Sequence, residues 1–128
     1  MPSVPPLVLV ADDDPGVAVT LRLMIEALGC RVLLAADGDQ AVAAIRSQPV
    51  GLLIADLNMP GKNAWDLAEV VRDARPGTPC WVCTGWPEEL QDGDPRAAGF
   101  AGVLPKPFDL AAIRAVLSSA FPSAVSLD

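Results

Sequence analysis

Residues Gly51 to Gly61 read G-L-L-I-A-D-L-N-M-P-G. Leu52, Leu53, Ile54 and Ala55 run without a polar break into Asp56, and Asn58, Met59, Pro60 and Gly61 then turn the chain. A short apolar run closed by turn residues is the pattern of a strand buried on both faces of a parallel sheet. Asp56 then falls at the strand's carboxyl end, the edge where open α/β sheets place their ligand sites. A single acid at a strand end can also be a structural cap, so its meaning depends on what else reaches that edge.

On either side of this stretch, short apolar runs alternate with helical patterns. Toward the amino terminus, Leu7 to Ala11 reads as a strand that meets Asp12, Asp13, Asp14 and Pro15. Asp14 suits a helix cap and Pro15 the first helical position. Val17, Leu21, Met24, Ile25 and Leu28 recur at helical spacing, and Gly29 ends that helix. Arg31 to Ala35 is a second strand. Asp37 with Gln40 resembles a capping box for a helix whose apolar side is Ala41, Val42 and Ile45 and which Pro49 stops.

Toward the carboxyl terminus, Leu67, Val70, Val71 and Ala74 define a third helix closed by Arg75-Pro76-Gly77. Cys80 to Thr84 is a fourth strand. Pro87-Glu88-Glu89 opens a short or interrupted helix that Asp92-Gly93-Asp94-Pro95 breaks before Arg96. Ala101 to Leu104 makes a fifth strand, and Asp109 caps a last helix running to about Phe121. Residues 122–128 read as a frayed tail or the start of a linker.

Five strands alternating with five helices predict an α/β fold, a parallel sheet covered on both faces, in one domain over residues 1–128 with its core at about 5–121. All strands of such a sheet end at one edge. Asp12 and Asp13, Asp56, Thr84 and Lys106 are therefore expected to converge there.

Composition narrows the chemistry. With 128 residues, 52% of them apolar, the chain suits one folded domain with a real core. Its 9 basic and 16 acidic residues give a net charge of −7, and no basic run tracks a phosphate backbone, which argues against direct contact with nucleic acid. The amino-terminal apolar run is short and lacks a positive leader, so it reads as a strand, with no signal peptide or membrane span. Cys30, Cys80 and Cys83 are an odd count, which favours a reduced, cytoplasmic setting. Cys80-Trp81-Val82-Cys83 lies inside an apolar strand, where buried thiols are expected in place of a redox pair. The absence of histidine excludes a phosphohistidine carrier, a Ser-His-Asp triad and a His-ligated metal.

A paired acid after the first strand (D-D-D-P), an Asp in D-L-N-M-P-G after the third, a Thr after the fourth and K-P-F after the fifth resemble the receiver domain of response regulators in two-component and phosphorelay signalling. The resemblance spans about residues 5 to 121. It implies a flavodoxin-like (βα)5 doubly wound sandwich with strand order 2-1-3-4-5. It also implies that Asp56 accepts a phosphoryl group from a phosphohistidine on a sensor histidine kinase or histidine phosphotransfer protein, with Mg²⁺ as cofactor. On the same basis Asp13 is the most direct metal ligand, Asp12 acts directly or through water, Asp56 donates an oxygen, and Asn58 its backbone carbonyl. Lys106 would pair with one phosphoryl oxygen and the Thr84 hydroxyl with another. Lys106-Pro107 is a candidate cis peptide. The span from Met1 to just past the last helix fits either a stand-alone regulator or an amino-terminal receiver.

The departures from that pattern are specific. Receivers usually carry Tyr or Phe three residues before the lysine. Here Val103 stands there, and the nearest aromatic, Phe100, comes three residues earlier. Together with the interrupted helix on the same face, this predicts that phosphorylation is read out differently, or transmits less shape change, than in a typical receiver. Asn63-Ala64 replaces a common Asp-Gly, which reads as variation in how the third helix opens. Trp86 is placed either to shade a phosphate from water or to rest on the surface. In the last helix Arg114 is the one charge, while Leu110, Ile113, Val116, Leu117 and Phe121 exceed a narrow stripe. That pattern suggests either a contact with a second copy or an output element, through the face formed by the fourth and fifth helices and the fifth strand, or a helix merely rich in Ala and Ser.

Two other functions compete. A haloacid-dehalogenase-like phosphatase would use the D-x-D within Asp12-Asp13-Asp14, although Gly16 and Val17 replace its following residues and there is no room for a cap. A phosphorylation-independent interaction module would lose acids or the lysine, and none is lost.

Overall fold

The structure is a computed structural model describing residues 5–57, 59, 61–85 and 100–122. Five strands, β1 (Leu7–Ala11), β2 (Arg31–Ala35), β3 (Val50–Asp56), β4 (Cys80–Thr84) and β5 (Gly102–Pro105), form a parallel sheet in the order β2-β1-β3-β4-β5. The described helices are α1 (Pro15–Ala27), α2 (Gly38–Ser47), α3 (Ala64–Ala74) and α4 (Leu110–Ala120). The helix expected between Pro87 and Ala98, Trp86, Asn58 and the tail beyond Pro122 lie outside the described residues.

The expected helix openings follow from local side-chain chemistry. Asp14 accepts hydrogen bonds from the Gly16 and Val17 amides at 2.9 and 3.3 Å, with Pro15 in the first turn of α1. Asp37 accepts from the Gln40 amide at 2.8 Å, and Gln40 Oε1 reaches back to the Ala36 amide, one residue beyond the usual capping-box partner. Asn63 and Asp66 form a complete capping box at the start of α3. The Asn63-Ala64 variation thus opens the helix. Asp109 caps α4 through the Ala112 amide.

The alternation of β3 divides the core. Leu53 and Ala55 face one layer with Ala41 and Ile45 of α2 and Leu67, Ala68 and Val71 of α3. Leu52 and Ile54 face the other, with Leu21 and Ile25 of α1 and Ile113, Val116 and Leu117 of α4. Each fully buried Leu, Ile or Val side chain of these layers stabilises the fold by about 1.5–3 kcal/mol. Both layers therefore hold β3 at the centre of the molecule.

β3 starts at Val50, ahead of the apolar run. Leu7 pairs with Val50 and Val8 with Leu52, so Gly51 is an extra residue in the ladder. The Phe121 ring packs there, 2.9 Å from where a Cβ on Gly51 would lie. In α4 the large apolar side chains are largely spent on the core. Its exposed positions are Leu110, Ala111, Ala115 and Ser119.

Candidate functional site

The carboxyl edge of the sheet gathers the acids. Just beyond β1, the Asp12 amide donates to the Ala35 carbonyl at 3.0 Å, extending the pairing with β2 by one residue. This fixes the Asp12 backbone, and its side chain, 3% exposed as a residue, points into the molecule's polar edge. Asp12 Oδ1 accepts from the Asp14 amide at 2.9 Å, and Oδ2 accepts from Lys106 Nζ at 3.2 Å. Asp13 is exposed beside it.

Asp56 ends β3 in register with Cys83, and the Leu57 amide donates to the Cys83 carbonyl at 3.1 Å. The loop that carries Asp56 is therefore tied to β4 as it leaves the sheet. Thr84 is the buried last residue of β4, and its carbonyl accepts from the Lys106 amide at 2.8 Å. That bond sets the level at which Lys106 leaves β5. Lys106 Nζ then donates to Asp56 Oδ1 at 3.3 Å as well as to Asp12. The Lys106-Pro107 peptide is cis.

The electrostatics of this group favour a further positive charge. Burial pushes the Asp56 carboxyl above its ordinary pKa, the Asp12 charge adds to that, and Lys106 offsets only part of it. Burial works to lower the pKa of Lys106, but Asp12 and Asp56 outweigh it and hold the ammonium above its ordinary value. One lysine thus serves two carboxylates. Asp12, Asp13 and Asp56 each offer a carboxylate oxygen, all within 4.8 Å of one another. An all-oxygen set of this kind fits a small hard cation such as magnesium, which takes one or two carboxylates and completes its octahedron with water or phosphate oxygens. A cavity of about 240 Å³ opens beside Asp12 and Asp13, walled by Pro15, Ala18, Val19 and Leu34. A second, of about 430 Å³, lies between Lys106 and α1, against Val17, Thr20 and Phe108.

The structure therefore brings together Asp12, Asp13, Asp56 and Lys106 and places Thr84 at the same edge. Asn58 is outside the described residues. The ion pairs from Lys106 to two acids lie beyond sequence reading, since the spacing of strand ends reveals which edge a residue reaches and not its distances. Asp14 serves as a cap.

Two neighbouring features bear on readout and on the thiols. Val103 is partly buried in the layer that also holds Phe100, and the Phe100 ring meets Trp65 of α3 edge-on, centroids 6.1 Å apart. The displaced aromatic thus links the approach to β5 with the first turn of α3. Cys80 and Cys83 are free, buried and on opposite faces of β4, and burial pushes their thiols up to about 11 and about 12. Such thiols are poor nucleophiles.

Comparison with known proteins agrees with this geometry. The family model of the response regulator receiver domain matches residues 8–118. The chain is 35% identical over 127 residues to the virulence sensor protein BvgS of Bordetella pertussis, covering 93% of this chain and 10% of that protein. It is 35% identical over 114 residues to the transcriptional regulatory protein CpxR of Klebsiella pneumoniae, covering 86% of this chain and 48% of that one. The chain thus spans a tenth to a half of the length of these relatives. Among solved structures, a chemotaxis response regulator of Vibrio cholerae superposes with a TM-score of 0.81 at 28% identity, covering 92% of this chain and 100% of that one. The receiver domain of a sensor histidine kinase of Pseudomonas aeruginosa, with a magnesium ion coordinated in its active-site cleft, gives 0.83 at 25% identity, covering 94% and 100%. Among the described residues no helix is long and apolar enough to cross a membrane.

Proposed function

This chain belongs to the response regulator receiver domain family, and from that premise we propose that Asp56 accepts a phosphoryl group from a phosphohistidine on a partner protein in a magnesium-dependent transfer. The observation that carries the reading is the union of three carboxylates within 4.8 Å and one lysine bonded to two of them. An Asp56 oxygen attacks phosphorus, the phosphorus–nitrogen bond breaks, and its electron pair leaves with the partner's histidine. When bound, magnesium neutralises the charge that gathers on the phosphoryl oxygens.

The residues of the chain hold and orient. Asp13 and Asp56 offer carboxylate oxygens to the metal, Asp12 does so directly or through water, and Asn58 offers its backbone carbonyl. Lys106 gives up its bond to Asp56 to meet a phosphoryl oxygen, a short move because the ammonium is already at the site. The Thr84 hydroxyl donates to another phosphoryl oxygen. The donor is a sensor histidine kinase or a histidine phosphotransfer protein in the cytoplasm. Residues 1–128 act as one receiver unit. Its output runs through β5, α4 and the segment between Gly85 and Phe100 to a second copy or an output element.

Asp14 is the second acid of the D-x-D that a dehalogenase-like phosphatase would need. Its engagement with the Gly16 and Val17 amides supports the receiver reading over that one. Borohydride reduction after phosphorylation tests the acceptor, because it converts an aspartyl phosphate to homoserine. Peptide mass spectrometry is expected to find homoserine at position 56, and modification at Asp12 or Asp13 instead would refute the assignment.

A further inference from the structure

Gly38 is the first residue of α2, a helix that carries none of the acids or the lysine. Its backbone has no positive φ, so its conformation does not require glycine. Space does. A Cβ at Gly38 would lie 2.5 Å from the Lys62 nitrogen and 2.8 Å from its Cα, and would run into the Lys62 Cβ. These are mainly backbone atoms, which cannot swing aside as the end of a flexible side chain can. Lys62 lies on the loop that leaves Asp56 and ends at the Asn63 cap, and its neighbour Gly61 turns with φ of +86° against the Gly38 amide.

The two sides of this contact differ in firmness. The first turn of α2 is braced by the Asp37 bond to the Gln40 amide and the Gln40 bond to the Ala36 amide, both 2.8 Å. Ala41 and Ile45 anchor the rest of the helix in the core, and Arg75 Nε donates to the Ile45 carbonyl at 3.0 Å. The loop turns at Gly61 and is held at its far end by the Asn63–Asp66 capping box. A side chain at position 38 would therefore move the loop.

We infer that Gly38 is a positioning residue for the phosphoacceptor loop, seating the Lys62 backbone on α2 and so setting where the Asp56 end of the loop lies relative to Asp12 and Asp13. The inference rests on the proposed function for the meaning of that loop. Gly38 touches no ligand and acts through Lys62. Restoring ordinary contact distance, at least 3.4 Å, would push Lys62 back by about 1 Å, enough to spoil the narrow geometry that magnesium demands.

The test pairs Gly38→Ala with Gly51→Ala, which adds the same methyl at the opposite edge against the Phe121 ring. Magnesium affinity is measured by calorimetry, and the Gly61 and Lys62 amide shifts by NMR in metal-free protein. Gly38→Ala is expected to weaken magnesium about tenfold and to displace both amide signals without metal, while Gly51→Ala keeps wild-type affinity. Wild-type affinity in Gly38→Ala, or an equal loss in Gly51→Ala, overturns the inference. Wild-type protein that binds no magnesium would refute the proposed function, and the metal-free amide shifts would still decide the positioning role. If Gly38→Ala does not fold, backbone order parameters of the wild type decide: about 0.85 at Gly61 and Lys62, as in a rigid helix, is expected, and values below about 0.6 overturn it.

Discussion

The two ends of β3 are built for different purposes. At the amino end, Gly51 lies under the Phe121 ring, and Thr78 Oγ1 donates to the Val50 carbonyl at 3.1 Å. Apolar contact and satisfied backbone groups close that end. About 16 Å away along the strand, Asp56 shares one lysine with Asp12, and burial holds its proton too tightly for an ordinary carboxyl. One strand thus spends its first residues on cohesion and its last on a charge imbalance that a cation relieves. Stability and function are separable along its length.

The separation can be broken by substitution, with the largest effect expected at the charged end. Asp13→Asn should weaken magnesium binding at least about 100-fold with little change in melting temperature, as read by calorimetry and thermal unfolding. A fall in melting temperature as large as that of a core substitution would show that the two ends are coupled. At the packed end, Phe121→Ala should cost about 2–3 kcal/mol in denaturant unfolding and leave magnesium affinity as it was. Asn63→Ala removes the cap of α3 and should cost about 1 kcal/mol.

A smaller effect sharpens the comparison through pH. The folded chain holds the Asp56 proton more tightly than the unfolded chain does. Metal-free stability should therefore fall as pH rises from the ordinary carboxyl value of 3.8 through the raised folded value, and the deficit should persist above it. Lys106 has the opposite role: its contribution is complete below 10.5 and is lost as pH climbs through its raised folded value. Asp56→Asn should flatten the acidic fall in a series of unfolding curves, and an unchanged slope would assign that fall to other carboxyls.

Much of this design was readable from local pattern. Leu52 to Ala55 announced a buried strand because both faces of a parallel sheet are covered, and Asp14, Asp37 and Asp109 announced helix openings because caps are short-range chemistry. The convergence of Asp12, Asp13, Asp56 and Lys106 followed from parallel topology. What escaped depends on contacts between distant segments. β3 gained Val50 and Gly51 through its register with β1, since Gly51 interrupts the apolar run that marks the strand. Lys106 reaches two carboxylates because of how β5 lies against β4. Phe100 was legible as a displaced aromatic, but its edge contact with Trp65 was not, since α3 and the approach to β5 are far apart in sequence. Gly38 carried a faint signal, a poor helix former in a first turn, whose cause lies in the distant Lys62 backbone.

The most direct test of the charged end is the intact mass of the protein after exposure to a small phosphodonor, with and without magnesium, for wild type and Asp56→Asn. The account predicts one added phosphoryl group on the wild type in the presence of the metal, none without it, and none on Asp56→Asn under either condition. Equal phosphorylation of Asp56→Asn, or uptake by the wild type that is indifferent to magnesium, would contradict it.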